Sequence, residues 1–213
     1  MKNNSVYRLY GRTKGRKKKN SDSSFLKLKL RELDQRKYNI IDVGAGFGES
    51  TIKLAKKNPE NIIICCEKYI DGLKSLFNKS QKESISNIFI YQGNFLQMLE
   101  EYCKEDSISE IWILFPDPWP KRKHFKRRLI DKSFFIKIHK YLKNKSTINI
   151  ATDSKSYVSQ ILRSIYLVKD EFLWLNQKKF DWDYNPEILP NTKYYRKALE
   201  NGLNPFYVKL MKI

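Results

Sequence analysis

The chain has 213 residues, 41% of them hydrophobic and 14% aromatic, which suits one packed α/β domain with a decorated edge and excludes wholesale disorder. Lys and Arg number 42 against 23 Asp and Glu, a formal charge of +19; such an excess points to a polyanionic partner, nucleic acid ahead of a membrane surface. Three cysteines (Cys65, Cys66, Cys103) form no disulfide framework and show no metal-ligand spacing, and no apolar stretch approaches the ~20 residues of a membrane helix, so a cytoplasmic protein without membrane or metal is expected.

Residues 1–37 read as a basic, irregular arm. Arg8, Arg12, Lys14, Arg16, Lys17, Lys18 and Lys19 lie there with Tyr7 and Tyr10 between them, a composition suited to phosphate contact and base stacking. Residues 38–213 read as a single domain in which strands and helices alternate. Tyr38–Val43 is an apolar strand, Gly44–Gly48 a loop and Glu49–Lys57 a helix stopped by Asn58-Pro59. The strand Ile62–Cys66 ends at Glu67, and Ile70–Ser80 has helical spacing. Asn87–Tyr91 is a third strand, Phe95–Tyr102 a third helix and Ile111–Phe115 a fourth strand. A helix over Lys132–Leu142, a strand over Thr147–Ala151 and a helix over Ser154–Tyr166 follow. Phe172–Trp174 and Pro205–Met211 supply two late strands, and the polar, aromatic stretch 178–203 between them reads as a substrate-recognition segment. Continuous apolar strands between amphipathic helices predict a doubly wound, mostly parallel seven-stranded sheet of Rossmann-like type. Its ligands are expected outside the carboxyl ends of the strands.

The loop Asp42-Val-Gly44-Ala-Gly46-Phe-Gly48 follows the first strand and opens the first helix. A dinucleotide fingerprint would need its third glycine where Glu49 stands, and a carboxylate there repels a pyrophosphate. Glycines at alternating positions suit a cofactor without phosphates, such as S-adenosyl-L-methionine. Asp42 then faces the amino acid end, directly or through water, Glu67 accepts from the ribose hydroxyls, and the adenine edge falls near Asn94.

After the fourth strand comes Phe115-Pro-Asp117-Pro-Trp119-Pro120. Prolines on both sides fix the backbone and hold Asp117 at the crevice, as an in-line methyl transfer requires. A nucleophile such as guanine N7 attacks through an in-ring lone pair, so no base is needed, and a fixed carboxylate stabilises the developing cation. The adjoining run Lys121, Arg122, Lys123, His124, Phe125, Lys126, Arg127, Arg128 is mostly basic with His124 and Phe125 interleaved, a pattern for RNA contact.

With these motifs together, the chain resembles the bacterial tRNA (guanine-N7)-methyltransferases. The resemblance rests on Asp42-Val-Gly-Ala-Gly-Phe-Gly-Glu-Ser, on Phe115-Pro-Asp-Pro-Trp-Pro-Lys-Arg-Lys-His-Phe-Lys-Arg-Arg and on Ala151-Thr-Asp. Tyr10-Gly-Arg-Thr-Lys-Gly-Arg resembles the family's N-terminal arm, and Asn191-Thr-Lys-Tyr-Tyr its C-terminal recognition segment. The resemblance implies a methyltransferase that uses S-adenosyl-L-methionine, yields S-adenosyl-L-homocysteine and acts on a variable-loop guanine of tRNA, as a monomer or homodimer. It implies Asp42, Gly44, Gly46, Gly48, Glu67 and Asn94 at the cofactor, and Asp117 as the catalytic aspartate beside it. Lys121, Asp153, Thr192, Lys193, Tyr194 and Tyr195 are the implied substrate contacts, and Lys123 to Arg128 the RNA-facing stretch. Asn94 and Tyr195 stand where the family usually has acidic residues, and Asp42 replaces the commoner glutamate. Tyr195 keeps open a methyltransferase of another RNA or guanine site; a decayed, RNA-binding relative is the remaining alternative.

Overall fold

The computed structural model describes residues 39–185 and 189–213. The basic arm, Tyr38 and residues 186–188 lie outside the described residues. Five parallel strands form most of the sheet: β1 (Asn39–Val43), β2 (Ile62–Glu67), β3 (Ile88–Gln92), β4 (Ile108–Leu114) and β5 (Leu142–Thr152). Two late strands, β6 (Phe172–Trp174) and β7 (Phe206–Lys212), complete it, with β7 inserted antiparallel between β5 and β6. The seven strands run in the order β3-β2-β1-β4-β5-β7-β6, so the chain reverses its direction of travel across the sheet between β1 and β4. The carboxyl ends of these two strands diverge and open the crevice that such sheets use for ligands.

Helices α1 (Glu49–Lys57) and α2 (Ile70–Lys82) pack on one face; α3 (Phe95–Tyr102), α4 (Lys132–His139) and α5 (Lys155–Tyr166) pack on the other. β1 is buried at every position, which explains its continuous apolar reading, because both faces are covered. The largest core cluster joins Ile111 and Ile113 of β4 to Phe134 and Phe135 of α4 and Tyr157 and Ile161 of α5.

Four elements (α4, β4, β5 and a late helix) depart from the sequence reading. The helix expected over Lys132–Leu142 ends at His139, because the Tyr141 carbonyl accepts the N–H groups of Ser107 and Ile108 at 3.0 and 2.9 Å. That capture starts β5 at Leu142, opposite Ile108, so both strands begin earlier than their apolar runs suggest. The polar, aromatic stretch 178–203, for which the sequence reading names no helix, contains a sixth helix, α6 (Lys193–Glu200). Thr192 caps it by accepting the Tyr195 N–H at 3.2 Å, and Tyr195 and Ala198 form its buried stripe.

Candidate active site

The glycine loop is built on backbone that side chains disfavour. Gly44, Gly46 and Gly48 have φ of +74°, +57° and +80°, a left-handed region open to glycine at little cost. The α2 helix closes on it from behind: a Cβ on Gly72 would stand 2.1 Å from the Gly46 carbonyl oxygen, so position 72 admits only glycine at this approach. Glu67, at the end of β2, fastens the loop. One carboxylate oxygen accepts the Gly46 N–H at 2.9 Å, and the other accepts Lys68 and Tyr69 N–H at 2.7 and 2.9 Å. Each oxygen offers more than one acceptor direction, so the carboxylate retains capacity for ligand hydroxyls.

Asp42 is placed differently from the expectation. It is 1% exposed, does not line the crevice, and accepts the Ser50 and Thr51 hydroxyls at 2.6 and 2.7 Å. Burial pushes its carboxyl up to about 6, against the opposing pull of these two hydroxyls. Asp42 therefore ties β1 to the first turn of α1 beneath the loop, where direct contact with a ligand's amino acid end is blocked. Asn94 does line the crevice, and its side-chain oxygen caps α3 by accepting the Leu96 N–H at 2.8 Å. Its acceptor is thus engaged and its amide N–H donors remain for a ligand edge.

A cleft of about 800 Å³ runs over the ends of β1 to β4, within the range of small-molecule sites. Gly44, Gly46, Glu67, Asn94 and Asp117 all line it. Asp117 sits on a loop fixed at both ends. Phe115 donates its N–H to the Ala151 carbonyl at 2.8 Å, and the Pro118 carbonyl accepts from Arg128 Nε at 2.7 Å. Phe115 and Trp119 have φ of +53° and +42°, conformations that L-residues hold only when their surroundings impose them. Across the cleft Lys68 Nζ stands 3.9 Å from Asp117 Oδ2.

The basic run divides. Lys121, Lys123 and Lys126 are exposed, His124, Phe125 and Arg127 half-buried, and Arg127 stacks over Trp119 at 5.0 Å. Arg128 is a correction to the RNA-facing expectation. It is 5% exposed, donates to Pro118 O, Ser156 O, Ser156 Oγ and Gln160 Oε1, and lies over the Phe125 and Tyr157 rings. Its guanidinium is consumed in holding the Asp117 loop to α5.

The recognition segment divides likewise. Lys193 and Tyr194 line the cleft. Burial, followed by the nearby charges of Asp117 and Glu67, raises the Tyr194 phenol above its ordinary range, so it stays a neutral donor between two carboxylates. Thr192 is buried and spends its hydroxyl oxygen on the helix cap. Tyr195 is a second correction: it is 8% exposed and stacks on Tyr184 at 4.5 Å, inside the core. Lys121 and Asp153 lie outside the cleft lining, Lys121 exposed and Asp153 half-buried just past β5. Sequence reasoning missed Lys68, although it directly follows Glu67, and the docking of α6 on Glu49 described below. Among the described residues no group of three or more His, Cys, Asp or Glu side chains is arranged to hold a metal.

A family model described as "Putative methyltransferase" matches residues 36–207. A tRNA (guanine-N(7)-)-methyltransferase of Jannaschia sp. (strain CCS1) is 31% identical over 172 residues, covering 81% of this chain and 71% of that one. The chain belongs to the tRNA (guanine-N7)-methyltransferase family. A second relative in this family, from Neorickettsia sennetsu (strain ATCC VR-367 / Miyayama), is 35% identical over 162 residues, 74% of each chain. The methyltransferase fold extends to more distant proteins. A solved rRNA methylase from Streptococcus thermophilus matches with a TM-score of 0.55 at 17% identity, over 89% of this chain and 93% of that chain. That likeness concerns the fold.

Proposed function

We propose that this methyltransferase family member transfers a methyl group from S-adenosyl-L-methionine to N7 of a variable-loop guanine in tRNA. One observation carries the reading: Asp117, on a loop fixed at both ends, shares a single cleft with the glycine loop and Glu67. S-adenosyl-L-methionine supplies, when bound, a methyl group activated by a sulfonium centre. The glycine loop offers close backbone approach, Glu67 acceptor capacity for ribose hydroxyls, and Asn94 amide donors for the adenine edge. The carboxylate of Glu67 bonded to the glycine loop, where it would repel a phosphate, fits that cofactor.

Asp117 acts on the base. Its carboxylate accepts from the guanine N–H edge and sets N7 for in-line attack, and it offsets the positive charge that the purine ring acquires. N7 carries a lone pair in the ring plane, so no residue has to remove a proton first. Lys68 screens Asp117 until the base arrives. Lys121, Lys123, Lys126 and Arg127 form the electrostatic footing for tRNA phosphates, with the arm 1–37 extending it. Lys193 and Tyr194, which line the cleft, complete the surroundings of the base, and kinship with tRNA (guanine-N(7)-)-methyltransferases together with an exposed basic rim supports tRNA as the substrate.

The test is methyl transfer from labelled S-adenosyl-L-methionine to unmodified tRNA, with nucleoside mapping of the product. 7-Methylguanosine in the variable loop is expected. Asp117→Ala should lower turnover by roughly 10² or more, as the loss of a charge-stabilising group does, while tRNA affinity stays within about twofold. Methylation at another position, or equal loss of binding and turnover in Asp117→Ala, overturns the reading.

A further inference from the structure

Glu49 opens α1 directly after Gly48, yet its carboxylate is directed to a different element. One oxygen accepts the Lys193 N–H at 2.5 Å and the other accepts Arg196 Nη2 at 2.7 Å. Arg196 also donates to the Asn191 carbonyl at 2.8 Å, so one guanidinium spans the loop before α6 and the first turn of α1. One turn further along α1, Lys53 Nζ donates to the Leu189 carbonyl at 2.6 Å. Burial pushes the Glu49 carboxyl up, but the bonds from Arg196 and Lys193 and the charges of Arg196 and Lys79 outweigh it, leaving it below the usual range.

What this seam positions is the cleft edge of α6. Lys193 and Tyr194, its first two residues, both line the cleft. Tyr194 reaches the glycine loop, where a Cβ on Gly46 would lie 4.0 Å from its ring, and Lys193 Nζ stands 5.5 Å from the Phe47 ring. An isolated helix of this length is marginal in water, and its first N–H groups have no partner within the helix. A carboxylate supplied by a rigid neighbour satisfies one of them and complements the helix dipole. Two charge-assisted bonds on one carboxylate also fix the helix's rotation, which a single contact leaves free.

We propose that Glu49 is a positioning residue that fastens α6 to the cofactor loop and thereby holds Lys193 and Tyr194 over the cleft. The methyl-transfer reading enters only in what Lys193 and Tyr194 act on; the seam itself is independent of it. Two readouts separate the possibilities: hydrogen exchange of the α6 amides, with and without S-adenosyl-L-homocysteine, and steady-state methylation of tRNA. Glu49→Ala should speed exchange in the first turn of α6 about tenfold and remove the protection that S-adenosyl-L-homocysteine confers there, as loss of a local anchor does. It should lower kcat/KM for tRNA about five- to tenfold, the scale of charge-assisted bonds in a half-exposed setting. The melting temperature and the affinity for S-adenosyl-L-homocysteine should hold. Glu49→Gln, which keeps an oxygen to accept the Lys193 N–H, should recover α6 protection in part. Unchanged α6 exchange in Glu49→Ala overturns the proposal, as does a Glu49→Gln variant no better protected than Glu49→Ala. A wild-type protein that leaves tRNA unmethylated would sink the functional reading, while the exchange data still decide the role of Glu49.

Discussion

Asp42 and Arg128 show how a residue's neighbours redirect its role. Both stand in segments rich in functional side chains, and both are buried. The Asp42 carboxyl, raised by burial from 3.8 to about 6, is protonated more readily in the folded protein than in the unfolded chain. It therefore favours folding at low pH, and that contribution is lost as pH rises from about 4 through about 6. Asp42→Asn keeps an acceptor for Ser50 and Thr51 but does not ionise. Its stability relative to wild type should rise by roughly 1–3 kcal/mol across that window, measured as the difference in denaturation midpoints. A difference that stays flat with pH would contradict the burial-driven shift. Arg128→Ala removes the donors to Pro118, Ser156 and Gln160 and should destabilise by about 2–4 kcal/mol. Arg127→Ala should instead leave the melting temperature nearly unchanged and weaken tRNA binding, with the salt slope reduced by about one. Thermal melts and binding titrations on the two variants distinguish structural from phosphate-facing arginine.

At the scale of elements, α2 and α6 both close on the glycine loop. α2 brings Gly72 against the Gly46 carbonyl, and α6 meets the same loop through Glu49 and Tyr194. Tyr195 stands where the family motif and the fold part company. Read as a family motif, it occupies the place of a glutamate facing the base; in the fold it stacks on Tyr184 in the core. Tyr195→Glu, which from sequence alone looks like a repair, should destabilise by about 2–4 kcal/mol because it buries an unpaired carboxylate. Turnover per folded molecule should not rise. A stable Tyr195→Glu protein with faster methylation would show that position 195 faces the base after all. The helix was hard to see in advance because Lys193-Tyr-Tyr-Arg-Lys carries little apolar signal. Its legible cues were Thr192 as a cap and the spacing of Tyr195 and Ala198.

At the scale of the molecule, a charge of +19 must be reconciled with a folded domain. An extended polyanion does this by neutralising many lysines at once. Part of the excess belongs to residues 1–19, which lie outside the described structure. Their removal should weaken tRNA binding and reduce the slope of log affinity against log salt, since fewer counterions are released. An unchanged slope would place the phosphate contacts entirely on the folded domain, on Lys121, Lys123, Lys126 and Arg127.

The sheet, the glycine loop and the Asp117 loop were legible from local sequence. Buried parallel strands require unbroken apolar runs, left-handed turns require glycine, and a rigid carboxylate loop between prolines leaves a local signature. That Glu67, Asn94 and Asp117 line one crevice was likewise readable, because each ends or closely follows a strand and strand ends in this fold face one crevice. Which member of a motif lines the cleft was decided only by tertiary structure. Arg128 turns inward because Ser156 and Gln160, well removed in sequence, accept its bonds there; Asp42, Thr192 and Tyr195 turn inward onto nearer partners (Ser50 and Thr51, the Tyr195 N–H, and Tyr184) on elements whose packing sets the inward direction. The Glu49 seam joins residues 144 and 147 positions apart, and nothing in the local chain could announce a pairing made by the packing of one helix against another.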